Sequence, residues 1–184
     1  TLMKTSALIF GFSFFLVFNC LSQQFQWAKQ FAGRFNDRGV AVEVDEEGKV
    51  YTAGNFQDSI DCDPSSNSLY FHSTSFEDHK IFITKLDSSG DLLWAKTIGQ
   101  TDDFVHCEKM ALDDSANIYI AGYFLDTVDF DPGVNEYNLY SDGWYSSGPI
   151  FINADLFLLK LDSDGNFIWV RYFDSNVHDE IGSL

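Results

Sequence analysis

ITKLDSSGDLLWAK, residues 83–96, returns as LLKLDSDGNFIWVR at residues 158–171. Each copy runs apolar, breaks at Asp-Ser-x-Gly, and resumes around a tryptophan. Asp, Ser and Gly tolerate the left-handed corner that a tight turn needs, so each copy reads as a β-hairpin. The likeness spreads in both directions. VYTAGNFQDSIDCDP (50–64) recurs as IYIAGYFLDTVDFDP (118–132), and QWAKQFAG (26–33) recurs as LWAKTIGQ (93–100) and IWVRYFDS (168–175). Trp27, Trp94 and Trp169 stand 67 and then 75 residues apart, the surplus lying in SDGWYSSGPIFINAD (141–155). A chain that repeats at such a period builds its fold from copies of one supersecondary unit.

Each unit reads as four strands: 40–44, 50–56, 81–86 and 92–97 in the first, then 110–112, 118–124, 156–161 and 167–172 in the second. The turns between them are DEEGK, DDSAN, DSSGD and DSDGN. IYIAGYF and LFLLKL are apolar at nearly every position, as a strand is when both faces of its sheet are covered. Four-stranded units in series are propeller blades or stacked solenoid turns. No apolar period of 3.6 residues appears after residue 23, so the mature chain is expected to hold little or no helix. Residues 24–32 are expected to form an outer strand, and HDEIGSL (178–184) to begin a third unit.

The combination of WAK, VYxAGxF, TVDFDPG, KLDxxG and a returning WAK resembles the SBBP family, the seven-bladed β-propeller repeats of secreted bacterial proteins. The resemblance spans about residues 24–184. It implies an all-β propeller fragment of two four-stranded blades, each with an inserted hairpin, plus the start of a third. Unit one is then about 33–98, unit two about 99–173, and the truncated unit 174–184. It also implies a larger cell-surface protein, often one exported by type IX secretion, with the remaining blades as partners of these two. Cys62 stands where the second copy has Phe130, and Ser65 where it has Gly133, so the first copy's turn is expected to differ.

Residues 1–22 read as a secretory signal peptide: Met3-Lys4, then the apolar run ALIFGFSFFLVF (7–18), with cleavage after Ser22. Twelve residues are too few to cross a bilayer, which needs about 20. The protein is therefore expected to be secreted or at the cell surface, with no membrane insertion after cleavage. Acidic residues outnumber basic ones 28 to 11, for a net charge of −17. That field repels phosphate backbones, so nucleic acid is not an expected partner. Extracellular protein or glycan is. Cys62 and Cys107 form no short-spaced pair, which indicates neither a zinc site nor a disulfide framework.

The repeated polar motif is F-x-D-[ST]-[IV]-D-x-D-P. In an extended chain Asp61 and Asp63 share one face and Ile60 and Cys62 the other, with Asp129 and Asp131 placed likewise beside Val128 and Phe130. An inserted hairpin is expected here, closed at Pro132-Gly133 by a type II turn. Three readings stand open. The aspartates face solvent and cap turn N–H groups; or they open a calcium loop, Asp61, Asp63, Asp129 and Asp131 being the ligands; or they are a catalytic pair. Ca²⁺ is the one cofactor the sequence suggests. Trp144 and Tyr145, in the insert peculiar to unit two, are the candidate ligand contacts, since loops carry function. The repeated tryptophans read as packing between blades, and KLDSDGNFIW resembles the tryptophan-docking turn of quinone-cofactor propellers without implying the cofactor. The histidines occupy dissimilar repeat positions and read as solvent or capping groups. No hydrolase, P-loop or metalloprotease motif is present. The expected function is a non-enzymatic scaffold for adhesion or for binding protein or glycan. The alternative is the propeller part of a polysaccharide lyase or hydrolase.

Overall fold

The computed structural model describes residues 25–73, 79–99, 104–145, 151–152 and 154–174. The expected leader and the start of the third unit, apart from Asp174, lie outside them. The described residues are all β, with no helix. Two four-stranded antiparallel meanders account for most of them. The first, unit one, runs in the order β2 (Arg38–Val44), β3 (Val50–Phe56), β6 (Lys80–Leu86), β7 (Leu92–Ile98). The second, unit two, runs β8 (Phe104–Leu112), β9 (Ile118–Asp129), β13 (Asp155–Leu161), β14 (Phe167–Phe173). The eight expected strands are all present. Both sheets carry a register shift in their first strand, at Gly39/Ala41 and Cys107/Lys109, and another before the second turn, at Lys85/Leu86 and Lys160/Leu161. Bulges at equal places mark the two sheets as copies of one backbone.

One turn closes the four tight hairpins of the two meanders, β2–β3, β6–β7, β8–β9 and β13–β14. Asp45, Asp87, Asp113 and Asp162 each accept, on the backbone oxygen, the N–H of the residue three places on. Each Oδ1 also takes the N–H groups two and four places on, at 2.8–3.0 Å. The residue three places on sits in the left-handed region, where L side chains are strained. Glycine holds that corner in three turns (Gly48, Gly90, Gly165), and Ala116 holds it in the fourth at φ 57°. A second glycine requirement lies in the VYxAGxF motif. A Cβ on Gly54 would stand 2.3 Å from the Arg38 carbonyl oxygen, and one on Gly122 1.8 Å from that of His106, with Phe82 and Phe157 pressing from the other side.

The main core lies between the sheets. Tyr51, Ala53, Ile81 and Ile83 of unit one meet Val105, Cys107, Met110, Ile120 and Leu159 of unit two, with β8 lying against β2, β3 and β6. A smaller cluster of Phe56, Ile60, Cys62 and Phe82 sits on the far face of unit one, beneath Phe31.

Tryptophan marks the joint between neighbours. Trp94, on the outer strand of unit one, lies on the turn of unit two, so that a Cβ on Gly165 would stand 3.1 Å from its ring. Trp27 lies on the matching turn of unit one, against Gly90, and its Nε1 donates to the Ser88 carbonyl at 3.0 Å. Lys29 adds an ion pair to Asp91 at 3.5 Å.

Three expectations need correction. Residues 25–31 form no strand; only β1 (Ala32–Gly33) pairs, with β4 (Ser59–Asp61). A fourth strand needs a third strand beside it, and among the described residues none lies there for this segment. The insert of unit two is not simply a loop, since β11 (Trp144–Tyr145) pairs with β12 (Phe151–Ile152). Gly133 is not in the left-handed region that a type II turn requires.

Candidate functional site

The inserted hairpins are real in both units. β4 pairs with β5 (Tyr70–His72), and the end of β9 pairs with β10 (Asn138–Ser141). Each follows an aspartate in the left-handed region, Asp58 at φ 63° and Asp126 at φ 59°. In unit one this corner ends β3 and starts a separate small sheet, while in unit two β9 runs through it. The alternation expected of the motif holds: Ile60, Cys62, Val128 and Phe130 are all buried.

The four candidate metal ligands act as caps. Asp61 Oδ1 accepts the N–H of Asp63 at 3.1 Å and of Leu69 at 2.8 Å. Asp129 Oδ1 accepts the N–H of Asp131 at 3.0 Å and of Tyr137 at 2.7 Å. Asp63 and Asp131 then take the N–H of Ser65 and Gly133 at 2.9 and 2.8 Å. The donor in that last bond is backbone, so Ser65 serves as well as Gly133 and the first copy's turn keeps the same bond. Hydrogen bonds from Ser65 hold the Asp63 carboxyl below its usual range. The expectation that the aspartates face solvent fails at Asp129, which is 6% exposed. Its hairpin packs over Phe124, Phe130 and Phe157, three rings with centroids 4.8–6.4 Å apart. Among the described residues no three His, Cys, Asp or Glu side chains converge as metal ligands would. That includes the groove of about 380 Å³ between the 45–47 and 113–115 turns, although Glu43, Asp45, Glu46, Glu47, Asp113 and Asp114 line it.

A polar cluster that the sequence reading passed over lies in the joint. The β8 bulge projects His106 and Glu108 toward the end of β3. Asn55 grips the bulge, accepting the Cys107 N–H at 2.7 Å and donating to the Cys107 carbonyl at 3.0 Å. Its second amide hydrogen points to His106 Nε2 at 3.1 Å, and Glu108 Oε1 stands 3.1 Å from Nδ1. Asn55 Nδ2 also stands 3.5 Å from Nδ1, so it sits beside both ring nitrogens, and the Glu108 carboxylate flanks the ring. Tyr123 stacks on the imidazole at 4.9 Å, and His79, bonded to Gln57 at 2.8 Å, lies 6.2 Å away. Burial, then the neighbouring His79 and Arg38, push His106 down to about 4. It is neutral at pH 7, with both ring nitrogens engaged by the protein.

Cys62 and Cys107 are free and buried, not bridged to each other. Burial pushes each thiol up to about 12, so neither is a nucleophile at neutral pH. Trp144 and Tyr145 are placed by backbone pairing alone; their side chains lie outside the described residues. Each inserted hairpin turns an aromatic group to solvent, Tyr70 at 55% and Tyr140 at 65% exposed, as Phe25, Phe35, Tyr172 and Phe173 are elsewhere on the chain. Tyr70 stacks with His72 at 6.0 Å, and Tyr140 holds the register position of His72.

The histidine cluster was missed because it needs two sheets brought together. A signal for it exists nonetheless. Val105-His106-Cys107-Glu108 has the same order as Val177-His178-Asp179-Glu180, the latter outside the described residues. No family's sequence profile matches the chain, and no curated protein or solved structure matches it.

Proposed function

We propose that the chain is part of a β-propeller of the SBBP kind, carried by a secreted or cell-surface protein, and that it is a non-enzymatic scaffold binding extracellular protein or glycan. The stacking of two like sheets, with Trp94 of unit one on the Asp-x-x-Gly turn of unit two and Trp27 on the matching turn of unit one, supports the propeller. The observation that carries the binding role is the pair of inserted hairpins. Each is closed by an aspartate that caps two N–H groups of its own turn, and each turns an aromatic side chain outward, Tyr70 and Tyr140. Exposed rings on fixed hairpins offer large contact area at small entropic cost. The test is binding of the purified protein to a panel of glycans and to extracellular matrix proteins. Tyr70→Ala with Tyr140→Ala should remove the binding and leave the circular dichroism unchanged. Binding that survives the pair sinks this reading.

A second reading, an enzyme acting on polysaccharide, draws on the His106–Glu108 pair, since a neutral imidazole oriented by a carboxylate is a proton acceptor. The engagement of Nε2 by Asn55 weighs against it. Turnover of a polysaccharide by the protein, lost in His106→Ala, would establish it and displace the scaffold.

A further inference from the structure

A cleft of about 420 Å³ opens beside the turn of the unit one hairpin. Lys29 and Gln30 stand on one wall, and Asp61, Asp63, Pro64 and Ser65 on the other. Its size is that of a small-molecule site. Ala32, Asp61 and Tyr70 are direct partners across β1, β4 and β5. Their side chains therefore share one face, in a row about 10 Å long. Ile60 and Phe71, on the opposite face, pack into the core of unit one and hold the row in place. Tyr70 thus stands at the edge of the cleft, 55% exposed, with His72 stacked beside it.

The polar groups of the cleft are only half committed. Asp61 Oδ1 holds the N–H groups of Asp63 and Leu69, but Oδ2 accepts no hydrogen bond from the described residues. Gln30 is exposed, and its amide is unpaired among the described residues. Lys29 Nζ is turned to Asp91, 3.5 Å away. A carboxylate oxygen, an amide that both gives and takes hydrogen bonds, and an aromatic face suit a ring edged with hydroxyls and faced with C–H groups. Two carboxylates in a chain of net charge −17 repel uronate and sulfate groups. We propose that this cleft binds a neutral glycan. One sugar ring sits between Gln30 and Asp61 and donates a hydroxyl to Asp61 Oδ2, while the next ring stacks on Tyr70. The proposal rests on the hairpins being binding elements and narrows that reading to one ligand class and one unit. Unit two has the same frame but a different row. Asn138 takes the place of Tyr70, and Asp129 opposite it is 6% exposed.

Calorimetric titration of the whole chain with laminarihexaose, xylohexaose and mannohexaose, and with hexagalacturonate as the acidic counterpart, tests it. At least one neutral hexaose should bind, with an affinity that salt leaves unchanged, and hexagalacturonate should not. Asp61→Asn keeps the Oδ1 cap and replaces only Oδ2. It should weaken binding about 10–100-fold, the loss of one hydrogen bond to a charged group. Tyr70→Ala should weaken it by at least as much, Tyr70→Phe and Tyr140→Ala should leave it unchanged, and circular dichroism should be the same for all four variants. Binding of hexagalacturonate alone overturns the proposal, as does binding of no hexaose. Neutral-glycan binding that survives Asp61→Asn and Tyr70→Ala but falls in Tyr140→Ala overturns it too, while leaving the hairpins as binding elements. Survival in all of these variants, the Tyr70→Ala, Tyr140→Ala pair included, sinks both readings.

Discussion

β6 and β13 are near copies, KIFITKL and DLFLLKL, yet they live differently. Every residue of β6 is buried, while β13 alternates between buried and half-buried. The lysines in the two strands diverge further. Lys85 reaches across the joint to the Ser163 carbonyl at 2.7 Å, and burial pulls its ammonium below the usual range. Lys160 folds back on Tyr119 at 2.6 Å and Asp113 at 3.3 Å, and the bond to Tyr119 raises it. The tryptophans differ in the same way. Trp27 Nε1 donates to Ser88, whereas Trp94 Nε1, at the equivalent place, is buried without a hydrogen-bond partner, the matching carbonyl being taken by Lys85. What separates the twins is the neighbour on their far side. Burial, side-chain conformation and protonation energy here belong to the joint more than to the strand.

Four measurements would break or sharpen that contrast. The largest effect is expected from the equivalent pair Ile83 and Leu158. Ile83→Ala should cost about 3–4 kcal/mol in urea unfolding, and Leu158→Ala about 1–2, since its site is partly open. Equal losses would mean that both faces of unit two are already covered.

Next comes acidity at the joint. His106 has no histidine counterpart in unit one, where Arg38 holds its place. Its folded pKa of about 4 lies below the unfolded value of about 6.5, so the unfolded chain binds the proton first. Stability should be full above about pH 6.5 and fall by about 2–3 kcal/mol as the pH drops to about 4. His106→Gln should flatten that window. Asp87 and Asp113, held below the usual range by the N–H and amide groups around them, lose their share only in stronger acid. A wild-type slope that persists in the variant would move the titration to another group.

The third contrast sets Asp129 against Asp61. Each caps two N–H groups, but Asp129 is the more deeply buried. Asp129→Ala should cost about 2 kcal/mol and Asp61→Ala about 1. Melting with calcium and with a chelator adds a control. The caps predict one midpoint under both conditions, and a calcium-induced rise that Asp129→Ala abolishes would make these residues ligands after all.

The smallest effect carries the opposite sign. Ala116→Gly relieves the left-handed corner that glycine holds in the other three turns, and should stabilise the chain by about 0.5–1 kcal/mol. Ala116 also touches the core, so a loss would show that its methyl contact outweighs the strain.

The strands were legible in the sequence because each appears twice, and two imperfect copies cancel each other's noise. The caps were legible because an aspartate beside a turn has N–H groups within reach whatever lies beyond. What escaped depends on partners distant in the chain. Asn55 and His106 are 51 residues apart, and no local pattern announces their meeting. Residues 25–31 look like an outer strand by likeness to 93–98, but likeness does not supply the strand they would pair with. The depth of Asp129 came from Phe130, an aromatic where the first copy has Cys62, which gives the hairpin of unit two a larger apolar floor.

The docking of tryptophan on a neighbour's turn bears on how such a chain can change over evolutionary time. Each unit carries both plug and socket within one contiguous stretch of sequence. Duplicating that stretch in the gene adds a module that fits the modules before and after it, and deleting it leaves ends that still match. The number of units can therefore drift while the contact between them is inherited intact, and novelties of sequence such as the 141–155 insert can accumulate in one module without disturbing the rest.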